Sequence, residues 1–148
     1  MLSALIEAEL RYGSLVSLDD HILNGTGAAP DLDGISGTSG IGSTAFDTDM
    51  LTSLRKAITA LEVLDVAPTD VIMTPADWET IELTASTSQF VMGGAGNGPD
   101  RVPIDRSARQ VWGLPVLVTN AATAGTATVL DSNDVLLVMR RADPHRRL

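Results

Sequence analysis

Cysteine is absent, which removes disulfides, thiolate nucleophiles and cysteine-based zinc sites from consideration. Lysine occurs once, at Lys56, so the Gly-Lys-Ser/Thr ending of a phosphate-binding P-loop cannot be formed. Aromatic side chains are few: Tyr12, Phe46, Trp78, Phe90 and Trp112. The core must therefore be aliphatic. Histidine occurs only at His21 and His145. The first ten residues carry Glu7 and Glu9 and no basic side chain, so no secretory signal is read there.

What the chain does have is apolar pattern and acid. Hydrophobic residues make up 44% and charged residues 20% of 148, which is globular composition in a chain of one-domain length. The net charge is −9 and is unevenly spread. Arg140, Arg141, Arg146 and Arg147 face only Asp143 in the last nine residues, leaving six basic and eighteen acidic side chains before them. An acidic body of this kind repels phosphate backbones, so nucleic-acid binding by the body is not expected. The basic tail, 141–148, reads as a frayed terminus. Residues 111–130 carry no charge, yet Gly113, Pro115, Asn120 and Gly125 break the run into short strands. No membrane span is expected.

Leu5, Ala8, Tyr12, Leu15, Leu18 and Ile22 recur at helical spacing and predict a helix over 1–23, with a bend or break possible at Gly13. Asn24-Gly25 ends it, since both residues tolerate the left-handed conformation of a helix C-terminus. The glycine-rich stretch 25–43 reads as an extended surface loop. Within it, Asp31 and Asp33 are weak calcium candidates, because Gly34 comes too early for an EF-hand and Gly42 stands where Glu is required. Asp47 is the expected N-cap of a second helix over 48–64, whose inner face is Met50, Leu51, Leu54, Ile58, Leu61 and Leu64.

Val71-Ile72-Met73 predicts a short buried strand. Thr74, Pro75 and Asp77 form a helix start with cap, N1 proline and first-turn acid. Trp78, Ile81 and Ala85 are its inner face. Gly-Gly-Ala-Gly-Asn-Gly at 93–98 is a flexible loop by composition. Strands are expected at 110–112, 116–119, 128–130 and 135–139, the last two forming an antiparallel hairpin across a turn at 131–134. Helices come mostly first and strands mostly last. The fold class is therefore α+β, with three helices and a mostly antiparallel sheet supplied chiefly by 110–140.

No catalytic constellation is visible. Glu7, Glu9, Glu79 and Glu82 are ordinary helix-surface acids, His21 sits near a helix end, and His145 lies among arginines. No nucleophile elbow or zinc-protease motif occurs. No catalytic residue, cofactor or firm metal site is assigned.

In order, the chain shows a helix running into Asn24-Gly25-Thr26-Gly27, the helix 48–64, Val71-Ile72-Met73-Thr74-Pro75, Ser88-Gln89-Phe90-Val91-Met92-Gly93, Val111-Trp112-Gly113-Leu114-Pro115-Val116 and Val135–Arg140. That order resembles the major capsid proteins of tailed bacteriophages with the HK97-type fold. The departures are Thr74, where the family favours Asn, Asn24, where an acid is usual, and both ends. The resemblance implies a structural, non-enzymatic subunit that packs with copies of itself into capsomer pentamers or hexamers. It is expected in the virion, and in the bacterial cytoplasm before assembly. It also implies a truncated single domain: 1–24 as the end of a long helix, 25–140 as an axial-domain-like body with part of the peripheral domain, and 141–148 as tail. Missing arm and E-loop segments would keep this chain alone from closing shells. Two alternatives are an encapsulin-like compartment shell and a small-molecule or calcium-binding domain using the glycine loops.

Overall fold

The computed structural model describes residues 2–28, 31–86, 89–90 and 109–136. The elements in chain order are α1 (Leu2–Asn24), a 3-10 turn (Ile35–Gly37), α2 (Met50–Glu62), β1 (Asp70–Met73) and α3 (Pro75–Leu83). They are followed by β2 (Ala85–Ser86), β3 (Gln89–Phe90), β4 (Gln110–Val111), β5 (Leu114–Val118) and β6 (Thr128–Leu130). The class is α+β, with three α-helices and a mixed four-stranded sheet ordered β4-β5-β1-β6.

The sheet is mixed: two of its three pairings are antiparallel, as expected, and the central one is parallel. Its centre is β1, which runs parallel to β5, with Val71 opposite Val116 and Met73 opposite Val118. β6 lies antiparallel on the other side of β1, and β4 antiparallel on the outer side of β5. Val71-Ile72-Met73 takes this place because it is apolar on both faces, as a central strand must be. β6 pairs antiparallel with β1. Val135 and Leu136 are not in a strand, and 137–139 lie outside the described residues. The turn at 131–134 does form, closed by Asp134 N–H on the Asp131 carbonyl at 3.2 Å.

Alternation along β1 sends Val71 and Met73 to one face and Ile72 to the other. On the first face Val71, Met73, Val111 and Val116 meet Leu54 of α2 and Trp78 and Ile81 of α3 in one buried cluster. On the second, Ile72 is buried while Leu117 beside it is exposed. α2 and α3 thus pack together on the first face of a small sheet.

α2 starts later than expected. Asp49, not Asp47, is the N-cap: its carboxylate accepts Thr52 N–H at 2.6 Å. Asp47 instead accepts from Thr48 N–H at 2.8 Å and pairs with Lys56. Two caps two residues apart compete in Asp-Thr-Asp, and a helix begun at Met50 still buries Leu54 and Ile58. The helix ends at Glu62, short of Leu64. Asp65 takes φ 59°, and Val66 N–H returns to the Leu61 carbonyl at 3.1 Å, closing a Schellman end. Leu64, expected on the inner face, is exposed. α3 begins as expected, with the Thr74 hydroxyl accepting Asp77 N–H and Pro75 at the first helical position.

α1 is where expectation and structure part most. It runs unbroken through Gly13. Leu5, Tyr12, Leu15 and Leu18, the supposed inner face, are all exposed. Among its described side chains, Leu23 in the last turn is the one that is buried. A helix apolar on so much of its circumference is normally a covered helix.

Candidate functional site

Two features stand out once the core is accounted for: the bare apolar length of α1, and the polar joint that holds its end. Leu2, Leu5, Ile6, Leu10, Tyr12, Leu15, Val16 and Leu18 are exposed, with Leu10 and Tyr12 each at 67%. Along one side runs a shallow open groove of about 540 Å³, floored by Gly13, Ser14 and Ser17 and edged by Leu10 and Leu18. Ser14 spends its hydroxyl on the Leu10 carbonyl at 2.8 Å. An open, mostly apolar groove on a single helix suits a protein surface better than a small polar ligand.

The joint begins at Asn24. Its side-chain NH2 donates to the Ala121 carbonyl at 2.7 Å and to Asp20 Oδ1 at 2.8 Å, and its Oδ1 accepts from the Thr123 hydroxyl at 3.2 Å. Below it, the chain folds back on itself. Gly27 N–H donates to the Leu32 carbonyl at 2.8 Å and Gly34 N–H to the Gly25 carbonyl at 3.0 Å. A Cβ on Gly34 would stand 2.3 Å from the Gly25 nitrogen, and one on Gly25 2.3 Å from the Leu32 carbonyl oxygen. Close backbone approach, not flexibility, is what these two glycines supply. The first half of the expected surface loop is thus a locked ring.

Asp31 staples that ring. One carboxylate oxygen accepts Thr26 N–H at 2.8 Å and the Thr26 hydroxyl at 3.0 Å. The other accepts Leu32 N–H at 2.9 Å and faces His21 Nδ1 at 2.6 Å. Thr26 N–H first, then the Thr26 hydroxyl, His21 and Leu32, hold the Asp31 carboxyl down at about 2. Asp33 contributes a backbone bridge to Thr26. The calcium candidates are therefore placed in one turn, but Asp31 has both oxygens engaged by protein donors, and no group of three potential ligands occurs among the described residues.

His21 acts as a partner of Asp31 at a helix end. Glu7, Glu9 and Glu79 are exposed and brought to no common point, and Glu82 accepts from Trp78 Nε1. His145 lies outside the described residues, as does the 93–98 loop. Among the described residues no helix is long and apolar enough to cross a membrane.

Sequence reasoning missed three residues. Asn24 carries only a helix-stop signal in the sequence, and nothing in a single Asn-Gly announces a partner near residue 121. Asp77 carries only the signal of a first-turn acid, yet it also accepts Gly125 N–H at 3.0 Å. Trp112 holds φ 53° beside Gly113 at φ 83°, a two-residue hairpin turn in which Asn-Gly is the usual pair. The residue as a whole is 58% exposed.

Among the described residues no group of potential metal ligands converges, and α1 is exposed along most of its length. The phage capsid family model matches residues 1–142. The chain belongs to the phage capsid family. The major capsid protein of Enterobacteria phage HK97 is 28% identical over 137 residues, covering 87% of this chain and 32% of that protein. The chain thus spans about a third of the length of this curated relative. The family is a structural one, and the α+β architecture with three helices is compatible with it.

Proposed function

We propose that this chain is a major capsid subunit, in whole or in part, with the HK97-like fold, and that it packs with copies of itself in the virion shell. The observation that carries this reading is the uncovered apolar length of α1 in a chain matched from residue 1 to 142 by the capsid family. Each leucine or isoleucine covered by a neighbour contributes about 1.5–3 kcal/mol, so several on one helix supply the bulk of a stable contact. Residues 25–140 then form the body that carries the helix. No catalytic role is assigned, and the compartment-shell and ligand-binding alternatives have no observation that favours them. Pentameric or hexameric rings are the symmetric form such packing would take. The acidic body is read as having no nucleic-acid role.

Light scattering on a sizing column tests this at about 10 µM, a range in which weak contacts are partly populated. The expected result is a mass that rises reversibly with concentration and returns to monomer in the double substitution Leu15→Glu, Leu18→Glu, with melting unchanged. Self-association that survives the double substitution would place the contact elsewhere than α1.

A further inference from the structure

We propose that Asn24 is the positioning residue that fixes the direction of α1 relative to the sheet. It does so by tying the helix end to the 119–125 turn, which Asp77 ties in turn to α3.

The geometry is a relay of short polar links. At the helix end, all the hydrogen-bonding capacity used by the Asn24 amide is matched in kind: two N–H groups meet a carbonyl and a carboxylate, and one oxygen meets a hydroxyl. The turn that receives it is braced internally by Ala121 N–H on the Thr119 hydroxyl at 3.2 Å and Thr126 N–H on the Thr123 carbonyl at 3.1 Å. It is braced externally at both ends. Thr119 N–H donates to the Met73 carbonyl of β1 at 3.0 Å, and Gly125 N–H donates to the Asp77 carboxylate of α3. Asp77 is itself held by the Thr74 hydroxyl at 2.7 Å, and Thr74 is a buried polar residue. Direction therefore passes from the core, through Thr74 and Asp77, to the turn, and from the turn to Asn24.

Among the described residues, Asn24 makes the hydrogen bonds that join α1 to anything beyond the 3-10 turn. The other fastenings, His21 to Asp31 and the Gly25–Gly34 ring, join α1 only to the segment that follows it. A helix of 23 residues amplifies small changes at its base: at 1.5 Å per residue its far end lies about 30 Å away. A carboxylate in place of the amide would set negative charge against the Ala121 carbonyl and Asp20, so Asn24→Asp is isosteric but inverts both donors. The assignment stands on geometry alone. Its consequence rests on the assembly reading: where helix and body both carry contacts, the angle between them decides whether head-to-tail packing closes into a ring.

The test is an intrachain distance. With no native cysteine, Glu7→Cys on α1 and Glu79→Cys on α3 take spin labels cleanly. Pulsed electron resonance on labelled protein mixed with excess unlabelled protein reads the α1-to-body distance free of contacts between copies. The parent should give one narrow distance. Asn24→Asp and Thr123→Val should each lose it to a broad distribution, while Thr123→Ser, which keeps the hydroxyl, should retain it. The melting of the body should hold in all three. A narrow, unshifted distance in both Asn24→Asp and Thr123→Val would overturn the proposal. If Asn24→Asp fails to fold, the Thr123 pair decides alone: broadening with valine but not serine supports the assignment, and equal behaviour of the two defeats it.

Discussion

α1 and α2 make an instructive pair. Both show apolar residues at helical spacing, but α2 leaves through Asp65 at φ 59°, whereas neither Asn24 nor Gly25 takes the left-handed conformation expected at the end of α1. α2 spends its pattern inside the chain: Leu54 and Ile58 are each 3% exposed, and Leu54 packs against β1 and α3. α1 spends nothing inside except Leu23. Periodicity therefore says that a face is to be covered and does not say by what. In α2 the cover is the chain's own sheet; in α1 the account assigns it to other subunits.

The contrast is most sharply broken by truncation on either side of it. Trp78→Ala or Met73→Ala should cost about 3–5 and 2–5 kcal/mol respectively, since both side chains are buried in the one cluster. Leu15→Ser should leave denaturant unfolding of the monomer within about 0.5 kcal/mol of the parent. Equal losses at Trp78 and Leu15 would mean that α1 has an internal partner.

A smaller effect separates the ring below α1 from the loop that follows it. Gly34→Ala forces the ring below α1 apart, because its Cβ meets backbone and not a side chain that could swing away. Overpacking of this kind costs about 1–3 kcal/mol. Gly40→Ala or Gly42→Ala meets open space, so any cost there comes from the backbone alone, through φ 92° at Gly40. Chemical denaturation of the three variants ranks them, with Gly34→Ala lowest.

At α2 the two candidate caps can be weighed directly. Asp49→Ala should cost about 1 kcal/mol, the usual loss for an N-cap acid. Asp47→Ala should cost less, since it gives up an exposed pair with Lys56. The reverse order in thermal melts would restore Asp47 as the cap.

Acid gives the smallest effect. The Lys56 ammonium and then Thr48 hold the Asp47 carboxyl at about 2, as the Thr26 donors do at Asp31, against an ordinary value of 3.8. A depressed carboxyl contributes stability that is complete above its unfolded value and is lost as pH falls through its folded one. Local order at the α1 exit and before α2 should therefore hold at pH 5 and decline between about pH 4 and 2. Amide spectra of Thr26 and Thr48 follow it; their loss at a higher pH would show that other groups govern the joint.

Much of the body was legible in the sequence because its signals are local. Thr74-Pro75-Ala76-Asp77 names its own helix start, and 128–130 and 71–73 name themselves as strands. What was not legible is long-range. The parallel pairing of β1 with β5 depends on two segments far apart in the chain choosing each other. The start of α2 turns on which of Asp47 and Asp49 accepts the first-turn N–H, a choice that Asp-Thr-Asp leaves open. The helix in α1 was legible, its bareness was not, because exposure is a property of neighbours. Asn24, Asp77 and Trp112 take their roles from partners or backbone geometry that no local pattern encodes.

Hydrogen exchange of the α1 amides against those of α2, followed over protein concentration, reads the central claim most directly. An α-helix without tertiary packing is only marginally held, and its amides open near their local limit. The account predicts that α1 between Leu5 and Leu18 exchanges far faster than α2 in dilute protein, and slows as concentration rises while α2 stays unchanged. Protection of α1 equal to that of α2 at every concentration would contradict it.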